Sequence, residues 1–196
     1  MDTQNFDDFT FDLSRKHIKD FIEKNANILN PNGFKKQLLE IGPQGRLDVK
    51  ELFNNYTYSS LDIDSSNNPD ILGDITKTNK EIKDNFFDCI ICLEVLEHTL
   101  NPFDAIRELK RILKIGGFLL ISAPLNWRIH GPIPDCWRFT EFGWKVLLKD
   151  FQLIEMDKLD TPERPLFPIR YNFVVKKNSN EEIDSNDIIF KKLKYE

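Results

Sequence analysis

Two apolar runs, Phe87–Leu93 and 118–123, bracket an amphipathic stretch at 101–113, and this alternation constrains the fold more than any other feature. Apolar runs without a polar alternation are what strands covered on both faces require. The stretch between them places Ile106, Leu109, Ile112 and Leu113 on one helical stripe, with Pro102 near its first turn. Lys110, Arg111 and Lys114 sit near its end, where they suit the helix dipole, and Gly116-Gly117 is the expected stop. The pattern repeats along the chain. Strands are expected at 37–41, 56–61, 70–72, 87–93, 117–123, 151–159 and 171–176, and helices near 48–53, 101–113 and 140–148. Strand–helix–strand repetition predicts a parallel α/β sheet covered on both faces.

The 196 residues fit one domain. Residues 1–177 are read as that domain, with 1–33 as an N-terminal segment or lid, and 178–196 as a polar tail. Within the segment, an amphipathic helix is expected from Ser14, as N-cap, to the breaker cluster at 30–33. Within the tail, Ile188, Ile189, Phe190 and Leu193 suggest one short docking helix. No apolar run approaches the ~20 residues of a membrane span. The acidic start, Met1 to Asp8, is expected to be neither a signal nor a transit peptide. A net charge of −5 argues against nucleic acid as a partner.

Cys89, Cys92 and Cys136 are too few for a disulfide framework. Cys89-Ile-Ile-Cys92 has C-x-x-C spacing, but residues three apart on a strand point to opposite faces. Buried, reduced thiols, a cytoplasmic location and no metal site are the expectation.

Leu38-Leu39-Glu40-Ile41-Gly42-Pro43-Gln44-Gly45 reads as a strand ending in a turn. Gly42 would let backbone approach a ligand closely, and Gly45 would do so again. The next strand ends in Asp62 and Asp64, about 20 residues beyond Gly42, where nucleotide-binding α/β folds place a ribose carboxylate. Asp74 closes the third run. Three acids at successive strand ends point to an adenosine-containing ligand, either NAD or S-adenosylmethionine (SAM). Gln44 occupies the second glycine position of a dinucleotide motif. Glu40 would repel a diphosphate yet suit the sulfonium and ammonium groups of SAM, so the pattern favours SAM.

The run from Phe87 through Leu93-Glu94-Val-Leu-Glu97-His98, then Asn101-Pro102-Phe103, then Glu108 through Gly116-Gly117 to Pro124, is similar to the class I SAM-dependent methyltransferases. The resemblance extends over about residues 37 to 148. It implies a Rossmann-like three-layer sandwich on a mostly parallel, seven-stranded sheet whose last strand is antiparallel. By position it implies Glu40, Gly42 and Gly45 around the methionine part of SAM, and Asp62 with Ile63 at the ribose. Asp74 and Ile75 are implied at the adenine edge, and Leu93 and Glu94 beside the sulfonium. Gln44 departs from the family's usual glycine, and the link from Asp64 to Asp70 is too short for the usual helix.

Residues 124–140 mix chain breakers with His130, two Trp and two Arg. A similar His-Gly-x-Pro-x-Asp-x-Trp-Arg-Phe-Thr stretch recurs in methyltransferases of surface-polysaccharide and sugar-modifying pathways. This resemblance implies a hydroxyl of a sugar or sugar-linked metabolite as acceptor. A non-sugar N- or O-acceptor, a nicotinamide oxidoreductase and a non-catalytic methyltransferase-like subunit stand as alternatives. Methyl transfer is an in-line displacement, so the protein supplies orientation, plus a base if the acceptor is a hydroxyl. His98, His130 and Asp135 are the candidates for that base. Trp137 is a candidate sugar platform, and Arg128 and Arg138 are candidate contacts for an anionic acceptor. Residues 1–14 carry four Asp and no basic residue, and 178–196 carry five acids against three Lys. The low net charge therefore belongs to the ends and does not exclude such an acceptor. With no separate substrate domain, the acceptor site falls to the N-terminal segment and the loops after the fourth and fifth strands, with room for a contribution from a second copy of the chain.

Overall fold

The computed structural model describes residues 3–30, 35–43, 45 and 47–179. Gln44, the breaker residues 31–33 and the expected docking helix at 188–193 lie outside these. The elements run α1 (Thr3–Leu29), β1 (Lys36–Ile41), α2 (Val49–Leu52), β2 (Tyr56–Asp62), β3 (Ile71–Leu72), β4 (Phe87–Leu93), α3 (Pro102–Ile112), β5 (Leu113–Pro124), α4 (Glu141–Leu147), β6 (Gln152–Thr161) and β7 (Arg164–Lys176).

The seven strands form one sheet in the order β3-β2-β1-β4-β5-β7-β6. Neighbours from β3 to β5 are parallel, and β7 runs antiparallel to both β5 and β6. This is the Rossmann-like sheet with an antiparallel last strand. β1 is bonded to β2 on one side and to β4 on the other. The connections therefore diverge at its carboxyl end, and such a divergence is where open α/β sheets bind ligands.

Side chains of β4 alternate between two apolar layers. Ile90 and Cys92 join Ala105, Leu109 and Ile112 of α3 and Trp144 of α4. Cys89 and Ile91 join Phe21, Ile22 and Ala26 of α1 on the other face. The two thiols thus point apart, both fully buried, and burial pushes both above their usual range. α3 starts where Asn101 accepts hydrogen bonds from the Phe103 and Asp104 N–H groups, with Pro102 as the first helical residue. Its buried Glu108 pairs with Arg111 at 2.7 Å and accepts from the Asn79 N–H. That pair anchors the irregular connection before β4, whose Ile75 and Ile82 are also buried.

Three expectations are corrected. α1 begins at Thr3, so Ser14 is a buried mid-helix residue and not an N-cap. A polar side chain in the apolar phase reads as a boundary, but here it is satisfied by Arg170, 156 residues away. α3 ends at Ile112 without a glycine, and Gly116-Gly117 lie where the β4–β5 register jumps from Phe87–Leu113 to Cys89–Phe118. A Cβ on Gly117 would stand 2.9 Å from both the Asp88 and the Lys114 carbonyl oxygens, so only glycine fits. Finally, β7 starts seven residues earlier than Tyr171. Its Pro168 belongs to the stretch preceding Arg170, where the pairing to β5 begins, and prolines are tolerated where no ladder N–H is needed.

Candidate active site

The carboxyl ends of β1 and β4 open into a cavity of about 540 Å³. On the sheet side it is lined by Glu40, Ile41, Gly42, Leu93 and Glu94. Gly42 turns the chain at φ +63°, a conformation that favours glycine, and donates its N–H to the Leu61 carbonyl at 2.8 Å; a Cβ there would press on the Val95 side chain at 3.0 Å. Glu40 accepts from the Tyr58 hydroxyl at 2.6 Å. Its carboxyl is raised by burial, against which the Tyr58 bond works.

Glu94 takes a left-handed backbone, φ +57°, immediately after β4. Strain of this kind persists only where neighbours hold it. The Ser122 hydroxyl donates to its Oε1 at 2.8 Å, and Arg170 meets its Oε2 at 3.1 Å. Arg170 also donates to the Ser14 hydroxyl. It is 4% exposed, and its Nε and Nη1 have no partner among the described residues.

The opposite wall comes from α1, through Phe11, Ser14, Arg15 and Ile18, and from the loop after β5, through Trp127, His130 and Gly131. Phe11 stacks on Trp127 with ring centres 6.2 Å apart, and the Arg15 guanidinium lies 4.2 Å over the Phe11 ring. Arg128 lines a separate 240 Å³ cavity beside Trp127, together with Arg164 and Phe167.

The loop is held by internal polar bonds. Asp135 accepts from the His130 N–H at 2.9 Å and from Arg138 Nη2 at 2.7 Å, with the second Arg138 nitrogen on its other oxygen. Arg138 also donates to the carbonyls of Trp137 and Arg128. The Arg138 guanidinium holds the Asp135 carboxyl well below the usual carboxylate range. Cys136 and Trp137 donate their N–H groups to the Glu97 carbonyl, and the Trp137 indole donates to the Thr99 carbonyl at 2.9 Å. Trp137 stacks on Phe139 at 6.2 Å and does not line the cavity, whereas Trp127 does.

His98, at the end of a short 3₁₀ turn (Leu96–His98), faces His130 across 4.9 Å between ring centres. Burial lowers the His98 pKa from its usual value. Glu97 lies behind both rings, wholly buried, and burial together with the nearby Glu94 charge holds its carboxyl well above its usual range.

The remaining sequence candidates sit along the next strand ends. Asp62 closes β2, accepting from the Asp64 N–H at 2.8 Å and from Asn67 Nδ2 at 2.9 Å; Ile63 beside it is 72% exposed. Asp74 accepts from the Thr76 N–H and hydroxyl and meets Lys77 at 3.3 Å. The Ile75 side chain is buried in the core. Gly45, at φ +62°, is exposed. The structure thus brings Glu40, Gly42, Leu93, Glu94, His98 and His130 to one cavity and leaves Asp62, Ile63, Asp74 and Ile75 outside its lining. Ser14, Arg15, Glu97 and Trp127 are not site candidates by sequence, whereas Arg170 falls with Arg128, Arg138 and Arg164 among the acceptor-side arginines expected to meet an anionic group. Of the first four, only Trp127 carried a local signal, as part of the same breaker-rich stretch.

A family model described as a methyltransferase domain matches residues 48–121. No curated protein matches the sequence. Among solved structures, the chain is similar to the CurJ carbon methyltransferase, with 18% identity and a TM-score of 0.60 over 84% of this chain and 54% of that one. It is similar to CalH, solved with SAH, with 19% identity and a TM-score of 0.60 over 80% and 54%. It is also similar to a chain of the complex between the Haloferax volcanii Trm112 methyltransferase activator and the putative methyltransferase, with 15% identity and a TM-score of 0.61 over 89% and 98%. The chain spans about half the length of CurJ and of CalH. Among the described residues no helix is long and apolar enough to cross a membrane. Residues 48–121 thus match a methyltransferase-domain model, and the chain has the fold of the SAM-dependent methyltransferases it is similar to.

Proposed function

We propose that the protein transfers the methyl group of SAM to a hydroxyl of a small acceptor, a sugar or sugar-linked metabolite that carries an anionic group. The observation that carries this reading is the single cavity joining the β1 and β4 ends to α1 and the post-β5 loop. Glu40 and Gly42 take the methionine part, with Gly45 on the same turn, and Leu93 and Glu94 flank the sulfonium. Asp62 binds the ribose hydroxyls, with Ile63, Asp74 and the Ile75 backbone along the adenosine. Acceptor and methyl carbon then meet below Trp127 and His130, where the pocket supplies alignment for in-line attack.

Three features support the acceptor class. The Phe11–Trp127 pair offers an apolar platform for a sugar face. Arg170 presents unspent, buried donors to the cavity wall, and Arg15 adds a second cation. The 130–140 stretch resembles that of sugar-modifying methyltransferases. Of the candidate bases, Asp135 is bonded to Arg138 and His130 and serves to orient the imidazole. His98 and His130 remain as the groups that deal with the acceptor proton. Trp137 and Arg138 act by fixing the loop, and Arg128 reaches only an acceptor long enough to enter the second cavity.

Titration calorimetry with SAM, S-adenosylhomocysteine and NADH tests the cofactor, and SAM and its product are expected to bind while NADH does not. The reverse would make the protein a nicotinamide enzyme; binding of none would favour a non-catalytic subunit. Asp62→Ala is expected to lower SAM affinity by about 1–3 kcal/mol, the scale of a lost charged hydrogen bond. Unchanged affinity would remove Asp62 from the ribose. Transfer assays on matched neutral and phosphorylated sugars test the acceptor, and a lower KM for the phosphorylated member is expected.

A further inference from the structure

We propose that Glu97, His98 and His130 form a binding site for one divalent transition-metal ion, of the zinc or manganese class, at the wall of the cavity. The inference rests on the methyl-transfer reading for its role but not for its existence.

The ligand atoms of these three residues lie within 4.8 Å of one another. Glu97 Oε1 stands 3.8 Å from His98 Nε2 and 3.9 Å from His130 Nε2, too far for hydrogen bonds. Both Glu97 carboxyl oxygens are buried without a hydrogen-bond partner among the described residues. The two imidazoles have their tautomers set from behind. His98 Nδ1 is 3.0 Å from the Pro134 carbonyl oxygen, which only accepts, so Nδ1 carries the proton and Nε2 is a lone pair. His130 Nδ1 is 3.1 Å from Asp135 Oδ2, an ionised carboxylate that also only accepts, with the same result. Two imidazole lone pairs and a Glu97 carboxyl oxygen therefore converge, and no other described group donates between them. Such a convergence is satisfied either by a proton on Glu97 or by a bound cation, and the two-imidazole, one-carboxyl set fits a cation.

Two imidazoles and one carboxylate select zinc, manganese or a similar ion over magnesium or calcium. Ligand atoms about 2.0–2.2 Å from such an ion stand roughly 3–3.5 Å apart, so small side-chain shifts close the site. The outer partners are those of established metal sites, a carboxylate and a backbone carbonyl behind the ligating imidazoles. Three protein ligands also leave a position open, the mark of a catalytic rather than a structural ion. Cysteine spacing alone points to no metal, and these three ligands converge only through the packing of the post-β4 turn against the post-β5 loop.

Glu97, His98 and His130 would hold that ion, which would lower the pKa of a bound acceptor hydroxyl toward neutral so that its proton could pass to solvent, the two imidazoles then acting through the ion and not as bases. The acceptor oxygen attacks the methyl carbon, a C–O bond forms, and the S–C electron pair passes to sulfur, giving S-adenosylhomocysteine. Charge and atoms balance without a further reactant.

The test uses the full chain, treated with chelator and dialysed, titrated with Zn²⁺ and separately with Mn²⁺. One ion per chain is expected, with affinity falling 10-fold or more in His98→Ala and in His130→Ala. Asp135→Asn should cost about 10–100-fold, the range for an outer-shell partner. Cys136→Ser, an exposed thiol close by in sequence, should change nothing. Absence of binding, or binding lost only in Cys136→Ser, would overturn the site, leaving Glu97 neutralised by a proton. SAM affinity measured on the same metal-free sample separates the two ideas: SAM binding without metal binding defeats this proposal alone. Binding of metal with no loss of methyl transfer on its removal would defeat the Lewis-acid role.

Discussion

Arg138→Met is expected to reduce methyl transfer by about 100-fold while leaving SAM affinity within a factor of two or three. The guanidinium holds both Asp135 oxygens and the carbonyls of Trp137 and Arg128, so its loss frees the segment that presents Trp127 and His130 to the cavity. A displacement of about 1 Å in such a segment is enough for a loss of that size. The cofactor side is built from β1, β2 and β4, which Arg138 does not touch. The Asp135 side chain is 1% exposed, and a carboxylate stripped of its partner is costly. Because Arg138 itself is 24% exposed, the destabilisation should be about 2–3 kcal/mol, below the usual 3–5 for a fully buried pair. Asp135 has a depressed pKa in the folded chain, so the pair's contribution is present above the unfolded carboxylate value and lost only as pH falls through the folded one. The wild-type and variant melting temperatures should therefore stay a constant distance apart between pH 6 and 8. Equal losses of SAM binding and transfer would show that Arg138 supports the whole fold and not the loop.

Trp144→Ala is expected to have the largest effect on stability, about 3–5 kcal/mol, the range for emptying a buried aromatic site. Trp144 is fully buried, and its ring lies 5.2 Å from Phe139 and 5.1 Å from Phe173. It thereby joins α4, β7 and the end of the acceptor-side loop. At this chain length the change should lower the melting temperature by roughly 10 °C. Its indole N–H has no partner among the described residues, so Trp144→Phe keeps most of the packing and forfeits none of the described hydrogen bonds. That variant should recover most of the loss. A fall below about 1 kcal/mol for the alanine variant would mean that the layer between α4 and the sheet collapses readily around the void.

The fold was legible wherever a residue's role is set by its near neighbours. The buried strands β4 and β5, the capped helix α3 and the Gly42 turn all follow from period, cap and backbone rules that act over a few residues. So did the opposite orientation of Cys89 and Cys92. Ser14 shows the opposite case. It broke the apolar stripe of α1 and read as a helix start, because the arginine that satisfies it comes from the far end of the chain.

The site divides along the same line. The sequence by itself determined the sheet, the glycine turn at its switch point, the acids at the strand ends and the chemistry-rich stretch at 124–140. Only the tertiary structure decided that α1 closes the cavity, that Trp127 and not Trp137 lines it, and that Arg138 is spent on Asp135. It alone brought Glu97 to within 4 Å of both imidazoles and set the His98 and His130 ring centres 4.9 Å apart. Local periodicity and spacing record what a residue does along its own element, whereas convergence of side chains depends on how distant elements pack, and buried charges acquire their partners only then.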